Sequence, residues 1–219
     1  LTGWELKPVW LMGVPGESYG FPAKRKTSDT IAPLLDRASP LRTSHFRDPG
    51  GPQIHFGSES FMDEVALATN TDAVEFRLRY LKEPRDIAVV KAVAEKAGWQ
   101  SHVGARKQVR GDVYVGQGFS YAVRGQTRVA VIAEVEVGRQ THRARVKRVW
   151  VAHDCGQVIA PDLLRQTVEA QIVQTISRSV NEEVKFDHKN VTSVDWATYP
   201  ILEMSEAPES IDLVIIDRP

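Results

Sequence analysis

In residues 58–68 the apolar positions Phe61, Val65 and Ala68 recur at helical spacing behind serine capping candidates, which predicts an amphipathic helix. Asp72 followed by Glu75 is a capping-box arrangement, and Val74, Phe76, Leu78 and Leu81 carry a second helix that Pro84 ends. A third is read from a cap at Asp86 through Ile87, Val90, Val93, Ala94 and Ala97 to a terminator at Gly98. The period then changes to two. Residues 129–137 alternate Val131, Ala133, Val135 and Val137 with Ile132, Glu134 and Glu136, which predicts a strand. A turn at Gly138-Arg139-Gln140 leads to a partner strand over 142–152 bearing Arg143, Arg145 and Lys147, so the charged rows are expected to pair across a solvated sheet face. A long helix capped by Asp162 is read to about residue 183, with Leu164, Val168, Ile172, Ile176 and Val180 down one face and Gln166, Glu169, Gln174 and Arg178 off it. A last strand is read over 210–216. The order predicts an α+β fold with mixed sheets and packed helices. Residues 1–57, rich in Gly, Pro and Ser, read as an irregular segment that packs against another chain or domain; residues 58–219 read as the α+β domain.

Composition narrows the function classes. Lys+Arg and Asp+Glu number 28 each, so no net field draws in nucleic acid or an anionic membrane. No apolar run approaches the ~20 residues of a membrane span, and the first ten residues, with Glu5 and Lys7, do not form a signal peptide. Cys155 is the single cysteine, which excludes an internal disulfide framework and a cysteine-rich metal or iron–sulfur site. The absence of an initiator methionine and the end at Asp217-Arg218-Pro219 lead us to expect a piece of something longer.

Few side chains offer chemistry in a usable arrangement. In His153-Asp154-Cys155, strand alternation puts His153 and Cys155 on one side and Asp154 on the other, so no triad forms; a Cys–His pair at i, i+2 stays open, and a buried structural cysteine is the expected reading. His45, His55, His102, His142 and His188 lack metal-ligand spacing. The carboxylate pairs Glu182/Glu183 and Glu134/Glu136 sit at a polar helix end and opposite a row of arginines, and Gly116-Gln117-Gly118 lacks a dinucleotide-site context. Two features remain. One is the polar side of the long helix, with Gln166 and Gln174. The other is Phe46-Arg47-Asp48-Pro49-Gly50-Gly51-Pro52-Gln53, where prolines and glycines hold a defined backbone around an arginine fork; it serves either as a ligand-holding loop or as a rigid turn with a solvated arginine.

That loop resembles the F-R-G-F-G-G-P-Q loop of the xanthine dehydrogenase and aldehyde oxidase family, the molybdenum hydroxylases. In family order follow Glu59-Ser60-Phe61-Met62-Asp63-Glu64-Val65-Ala66, Phe76-Arg77-Leu78-Arg79-Tyr80-Leu81, Ala94-Glu95-Lys96-Ala97-Gly98-Trp99, Val151-Ala152-His153-Asp154-Cys155-Gly156, Pro161-Asp162 and Asp195-Trp196-Ala197-Thr198-Tyr199-Pro200-Ile201-Leu202. The branch it resembles is the large-subunit type of isoquinoline 1-oxidoreductase and nicotinate dehydrogenase. The resemblance implies part of a subunit that binds molybdopterin cytosine dinucleotide, with Phe46, Arg47, Asp48, Gly50, Gln166 and Gln174 at the cofactor and no metal ligand from the protein. It implies oxidation of an N-heterocycle or aldehyde with water as oxygen source, and electrons passed to iron–sulfur clusters on a small subunit. The partners implied are the rest of the molybdopterin subunit, that iron–sulfur subunit and a small-molecule substrate. The family's general base, the glutamate of a Gly-x-Gly-Glu motif, is expected beyond Pro219; no catalytic residue is therefore assigned here, and the chain alone is expected to be inactive. Departures from the pattern are Pro49 for an aromatic, Ala160 for Asn, and Ala170 and Thr175 for glycines, the last two expected to crowd a pterin. They leave an alternative, a non-catalytic scaffold or assembly relative that no longer binds the cofactor.

Overall fold

Three helices pack on one face of a five-stranded sheet and a fourth helix packs on the other. The computed structural model describes residues 5–6, 19–23, 25–26, 51–106 and 108–218. Phe46, Arg47, Asp48 and Gly50 lie outside them. In chain order, β1 (Glu5–Leu6) and β2 (Arg25–Lys26) form a short parallel pair. Helices α1 (Gly51–Ala68), α2 (Ala73–Tyr80) and α3 (Pro84–Ala97) follow. The sheet comprises β3 (Gln108–Arg110), β4 (Val113–Arg124), β5 (Thr127–Gly138), β6 (Ala144–Asp154) and β7 (Ser210–Ile215), in that order across it. Neighbours are antiparallel except β6 and β7, which run parallel and are joined by a crossover containing α4 (Pro161–Val180). The α+β class with a mixed sheet is borne out.

Strand alternation explains the layers. Phe119 and Tyr121 of β4, Ala130 and Ile132 of β5 and Ala152 of β6 face α1–α3 and meet Met62, Val65, Phe76, Val89, Val90 and Val93. The opposite registers, Val149, Val151 and Leu213, meet Ile176 of α4, with Val168 and Ile172 packed against them. Each fully buried valine of α3 contributes roughly 1.5–3 kcal/mol of transfer free energy, so α3 is the principal clamp on the sheet.

Helix ends depart from the expected positions for identifiable reasons. Helix α1 starts at Gly51, not Ser58, and so runs through the expected 57/58 boundary; Ser58 is buried within it, on the row Ile54, Ser58, Met62 and Ala66. Pro52 suits a first turn, whose N–H groups lack intrahelical acceptors anyway. Asp86 does not cap α3: Pro84 starts that helix, and Asp86 accepts from Arg128 Nε at 3.1 Å. Likewise Pro161 starts α4 after Ala160, Asp162 lies in its first turn, and Val180 ends it short of residue 183. The Asp72 cap stands, with bonds from Val74 N–H at 2.9 Å and Glu75 N–H at 3.0 Å, and so does the left-handed Gly98 terminator, φ +61°.

The charged sheet face is only partly solvated. Glu134 and Glu136 register against Arg148 and Arg145, but a register shift after Glu134 re-aims the pairs. Lys147 Nζ reaches Glu136 at 2.7 Å, and Glu134 is 6% exposed, with Arg110 at 3.7 Å.

Candidate functional site

Helix α4 carries two of the site residues read from the sequence. Gln166 is exposed and Gln174 half-buried. At 100° per residue, Leu163, Gln166, Thr167, Ala170 and Gln174 fall within a sector of about 100°, opposite the Val168–Ile172–Ile176 row that meets the sheet. None of the five is charged. Ala170 lies between the two glutamines. Thr175 lies about 100° from Gln174, and its Oγ1 donates to the Gln171 carbonyl at 2.7 Å.

The 46–53 motif ends as the first turn of α1: Gly51 is buried and Pro52 and Gln53 are exposed. A helix start has N–H groups free of intrahelical partners, so this motif leads into an anion-compatible terminus. The position of residues 46–50 relative to α4 falls outside the described residues.

Beneath α1 lies a buried ion pair that sequence reasoning missed. Arg77, 0% exposed, donates through Nε to Glu59 Oε2 at 2.9 Å, through Nη2 to the Glu59 carbonyl at 2.9 Å, and through Nη1 to Asp63 Oδ1 at 2.7 Å and the Ala73 carbonyl at 3.0 Å. Glu59 also accepts from Tyr19 Oη at 2.8 Å and from the Tyr121 N–H at 3.0 Å. The guanidinium sits 5.1 Å from the Phe119 ring centroid. Burial alone would lower the Arg77 pKa; Glu59 first, then Tyr19 and Asp63, more than reverse this and hold the guanidinium charged. Burial, then the Glu59 carboxylate, pushes the Tyr19 hydroxyl well up, so it stays a donor. The sequence carried little signal of it, since Arg77 is one of three charged residues in α2, beside Glu75 and Arg79. Next to this pair a cavity of about 300 Å³ is lined by Asp63, Leu67, Trp99, His102, Gln117 and Phe119.

At the end of β6 the expected separation of His153 and Asp154 holds. Asp154, 0% exposed, accepts from Arg85, from Arg218 Nε at 2.5 Å and from the Gly156 N–H at 3.1 Å. Burial would raise its pKa, but bonds from Arg85, Arg218 and Gly156 outweigh that and hold the carboxyl well below the usual range. This makes it a structural anchor. His153 faces the α4 side, with Nδ1 buried and without a hydrogen-bond partner among the described residues, and burial lowers its pKa. Cys155 is free and half-buried, more open than expected. Gly116 and Gly118 lie inside β4, not in a strand–turn–helix. Among the described residues no group of three His, Cys, Asp or Glu is placed to hold a metal, and no helix is long and apolar enough to cross a membrane.

Comparisons with known proteins agree with the resemblance. The model of the molybdopterin cofactor-binding domain matches residues 62–208. A nicotinate dehydrogenase subunit of Pseudomonas putida is 36% identical over 209 residues, covering 91% of this chain and 17% of that protein. The beta subunit of isoquinoline 1-oxidoreductase of Brevundimonas diminuta is 32% identical over 179 residues, covering 80% of this chain and 22% of that protein. The chain thus spans about a fifth of the length of these relatives. A crystal structure of quinoline 2-oxidoreductase from Pseudomonas putida 86 superposes with TM-score 0.40 at 24% identity, covering 42% of this chain and 12% of that one. With a match spanning most of its folded core, the chain belongs to the molybdopterin cofactor-binding domain family.

Proposed function

We propose that this chain forms one wall of a molybdopterin site in a molybdenum hydroxylase and acts as part of a larger assembly. The observation that carries the reading is the outer face of α4, where Gln166 and Gln174 flank Ala170 in an uncharged sector, exposed at Gln166 and Ala170 and half-buried at Gln174. A surface helix ordinarily turns charge to water. A glutamine amide both donates and accepts, which suits the mixed donor and acceptor edge of a pterin, so the residues present fit the group. On this reading Gln166 and Gln174 orient the pterin, and Phe46, Arg47, Asp48 and Gly50 offer backbone and guanidinium donors at the molybdenum end. The Arg77–Glu59 pair holds α1, and hence the end of that loop, against α2 and β4. When bound, molybdopterin cytosine dinucleotide would supply oxygen transfer from water to an electron-poor carbon of an N-heterocycle or aldehyde, with electrons passing to iron–sulfur clusters on a small subunit. The general base is expected from polypeptide outside residues 1–219.

The assembly purified through a tag on this chain should contain molybdenum and release a cytosine-bearing pterin. Gln166→Leu with Gln174→Leu should lower cofactor content at least about tenfold; Gln166→Leu alone, at an exposed site, should leave stability within about 0.5 kcal/mol. Unchanged cofactor content in the double variant would refute these roles. The second reading, a scaffold relative without cofactor, rests on Ala170 and Thr175 standing where the family pattern has glycines. It predicts no molybdenum in the native assembly.

A further inference from the structure

Helix α4 is held more by its ends than by its face. Of its 20 residues only Ile176 and Ser177 are buried, both near the C-terminus. Leu164, Val168 and Ile172 are half-buried, and residues 161–163 and 165–167 are exposed. Ser177 docks the C-terminal end: its Oγ donates to Glu182 at 2.5 Å and accepts from the Leu202 N–H at 2.9 Å. Among the described residues no buried side chain does the same for the N-terminal half, where Gln166 stands, and Ala160 gives it no side-chain cap.

What fixes that half is the loop before it. Past the end of β6 the loop runs beside the segment that follows β7. The Ile216 N–H donates to the His153 carbonyl at 2.9 Å, the Arg218 N–H to the Gly156 carbonyl at 3.3 Å, and the Val158 N–H to Asp217 Oδ1 at 2.9 Å. Asp154, 0% exposed, ties both stretches to α3, since it accepts from Arg85 of that helix, from Arg218 Nε and from the Gly156 N–H. Gly156 sits at φ +87°, a conformation that a side chain would strain, so the turn itself is narrowly defined. Pro161 then starts α4 three residues after Val158.

We infer that Asp154 is a positioning residue for the proposed cofactor wall, acting through this loop on the N-terminal half of α4 and so on Gln166. The inference rests on the reading of Gln166 as a pterin contact. Its leverage follows from the helix geometry. With Ile176 as pivot, Gln166 lies about 15 Å away along the axis and Gln174 about 3 Å. A tilt of about 5° therefore moves Gln166 by about 1.3 Å and Gln174 by about 0.3 Å. A misplacement of ~1 Å is on the scale that costs a site about a hundredfold. The sheet-facing row of α4 is too shallowly buried at Leu164 and Val168 to resist such a tilt by packing alone.

The test measures position in the folded protein, which a loss of stability alone does not move. Spin labels are placed at the exposed Thr167 or Thr175 of α4, each paired with a label at the exposed Glu95 of α3, in a Cys155→Ser background. Distances are read on the assembly purified through a tag on this chain, with Asp154 native, in Asp154→Asn, and in Arg218→Gln, where the side chain replaced is 37% exposed and folding is the less endangered. In both variants the 167–95 distance should shift, or its distribution widen, by at least about 1 Å, while the 175–95 distance stays within about 0.5 Å. An unmoved label at 167, or equal movement at both positions, overturns the inference. Molybdenum in the same samples should fall at least about tenfold. A displaced 167 label with native molybdenum content also overturns it, because the loop then positions nothing the cofactor needs. A native assembly without molybdenum, with the 167 label displaced in the variants, upholds the hold of Asp154 on α4 and sinks the cofactor reading instead.

Discussion

Replacing Arg77 by methionine tests whether the buried ion pair organises the helical layer. Methionine keeps most of the apolar stem that crosses Phe119, so the loss is chiefly electrostatic. The substitution removes four hydrogen bonds from a guanidinium that is 0% exposed and leaves Glu59, whose side chain is 7% exposed, without its cation. Breaking a buried pair from one side costs about 3–5 kcal/mol. Glu59 keeps the Tyr19 hydroxyl and the Tyr121 N–H, and Asp63 is half in water, which places the cost near the lower bound, about 3 kcal/mol. For a domain of this size that lowers Tm by roughly 6–12 °C. The assay is urea unfolding at pH 7 of Arg77→Met, Glu59→Gln and the double variant, with the exposed Arg79→Met as control. Glu59→Gln in the Arg77→Met background removes the unpaired charge, so the double variant should recover about 1–2 kcal/mol and the cycle should show a coupling of at least about 1.5 kcal/mol. A loss below about 1 kcal/mol in Arg77→Met, or strict additivity, would refute the argument.

Asp154→Asn should cost about 2 kcal/mol at pH 7, because two guanidiniums lose the buried charge they share. The folded-state pKa is depressed, so the contribution is present above the ordinary carboxyl value near ~3.9 and is lost as pH falls towards the folded one. The gap between native and variant urea midpoints should therefore shrink below about pH 4; a constant gap from pH 6 down to 2 would count against it. For His153, buried and with a lowered pKa, the unfolded chain binds a proton near pH ~6.5 that the folded one refuses. Stability should fall from pH 7 to 5, and His153→Leu should flatten that limb; parallel profiles would rule this out. Asp72 accepts from Val74 and Glu75 N–H, from Trp99 Nε1 at 3.0 Å and from the His102 N–H at 3.0 Å. Asp72→Ala should cost about 2 kcal/mol, of which Asp72→Asn recovers about half, since the amide oxygen still caps α2. Equal melting of the two variants would show that capping is not the source.

Local chemistry is legible in the chain itself. The Asp72 cap, the Gly98 terminator, the alternation in β5 and β6 and the Val168–Ile172–Ile176 row are each written within a few residues, because period and cap are short-range properties. The starts of α1, α3 and α4 are not: Pro84 reads as the end of α2, yet it and likewise Pro52 and Pro161 lie in a first turn, where the missing N–H has no partner to lose.

Family membership could be read from the order of motifs alone, and the place of Gln166 and Gln174 off the packed stripe of α4 from its period. What only the tertiary structure decided is how distant residues meet. Glu59, Arg77 and the Tyr121 N–H come from three elements, and Arg85, Asp154 and Arg218 from α3, β6 and the segment after β7. Such pairs have no spacing to betray them: burial sets their strength, and burial belongs to the fold.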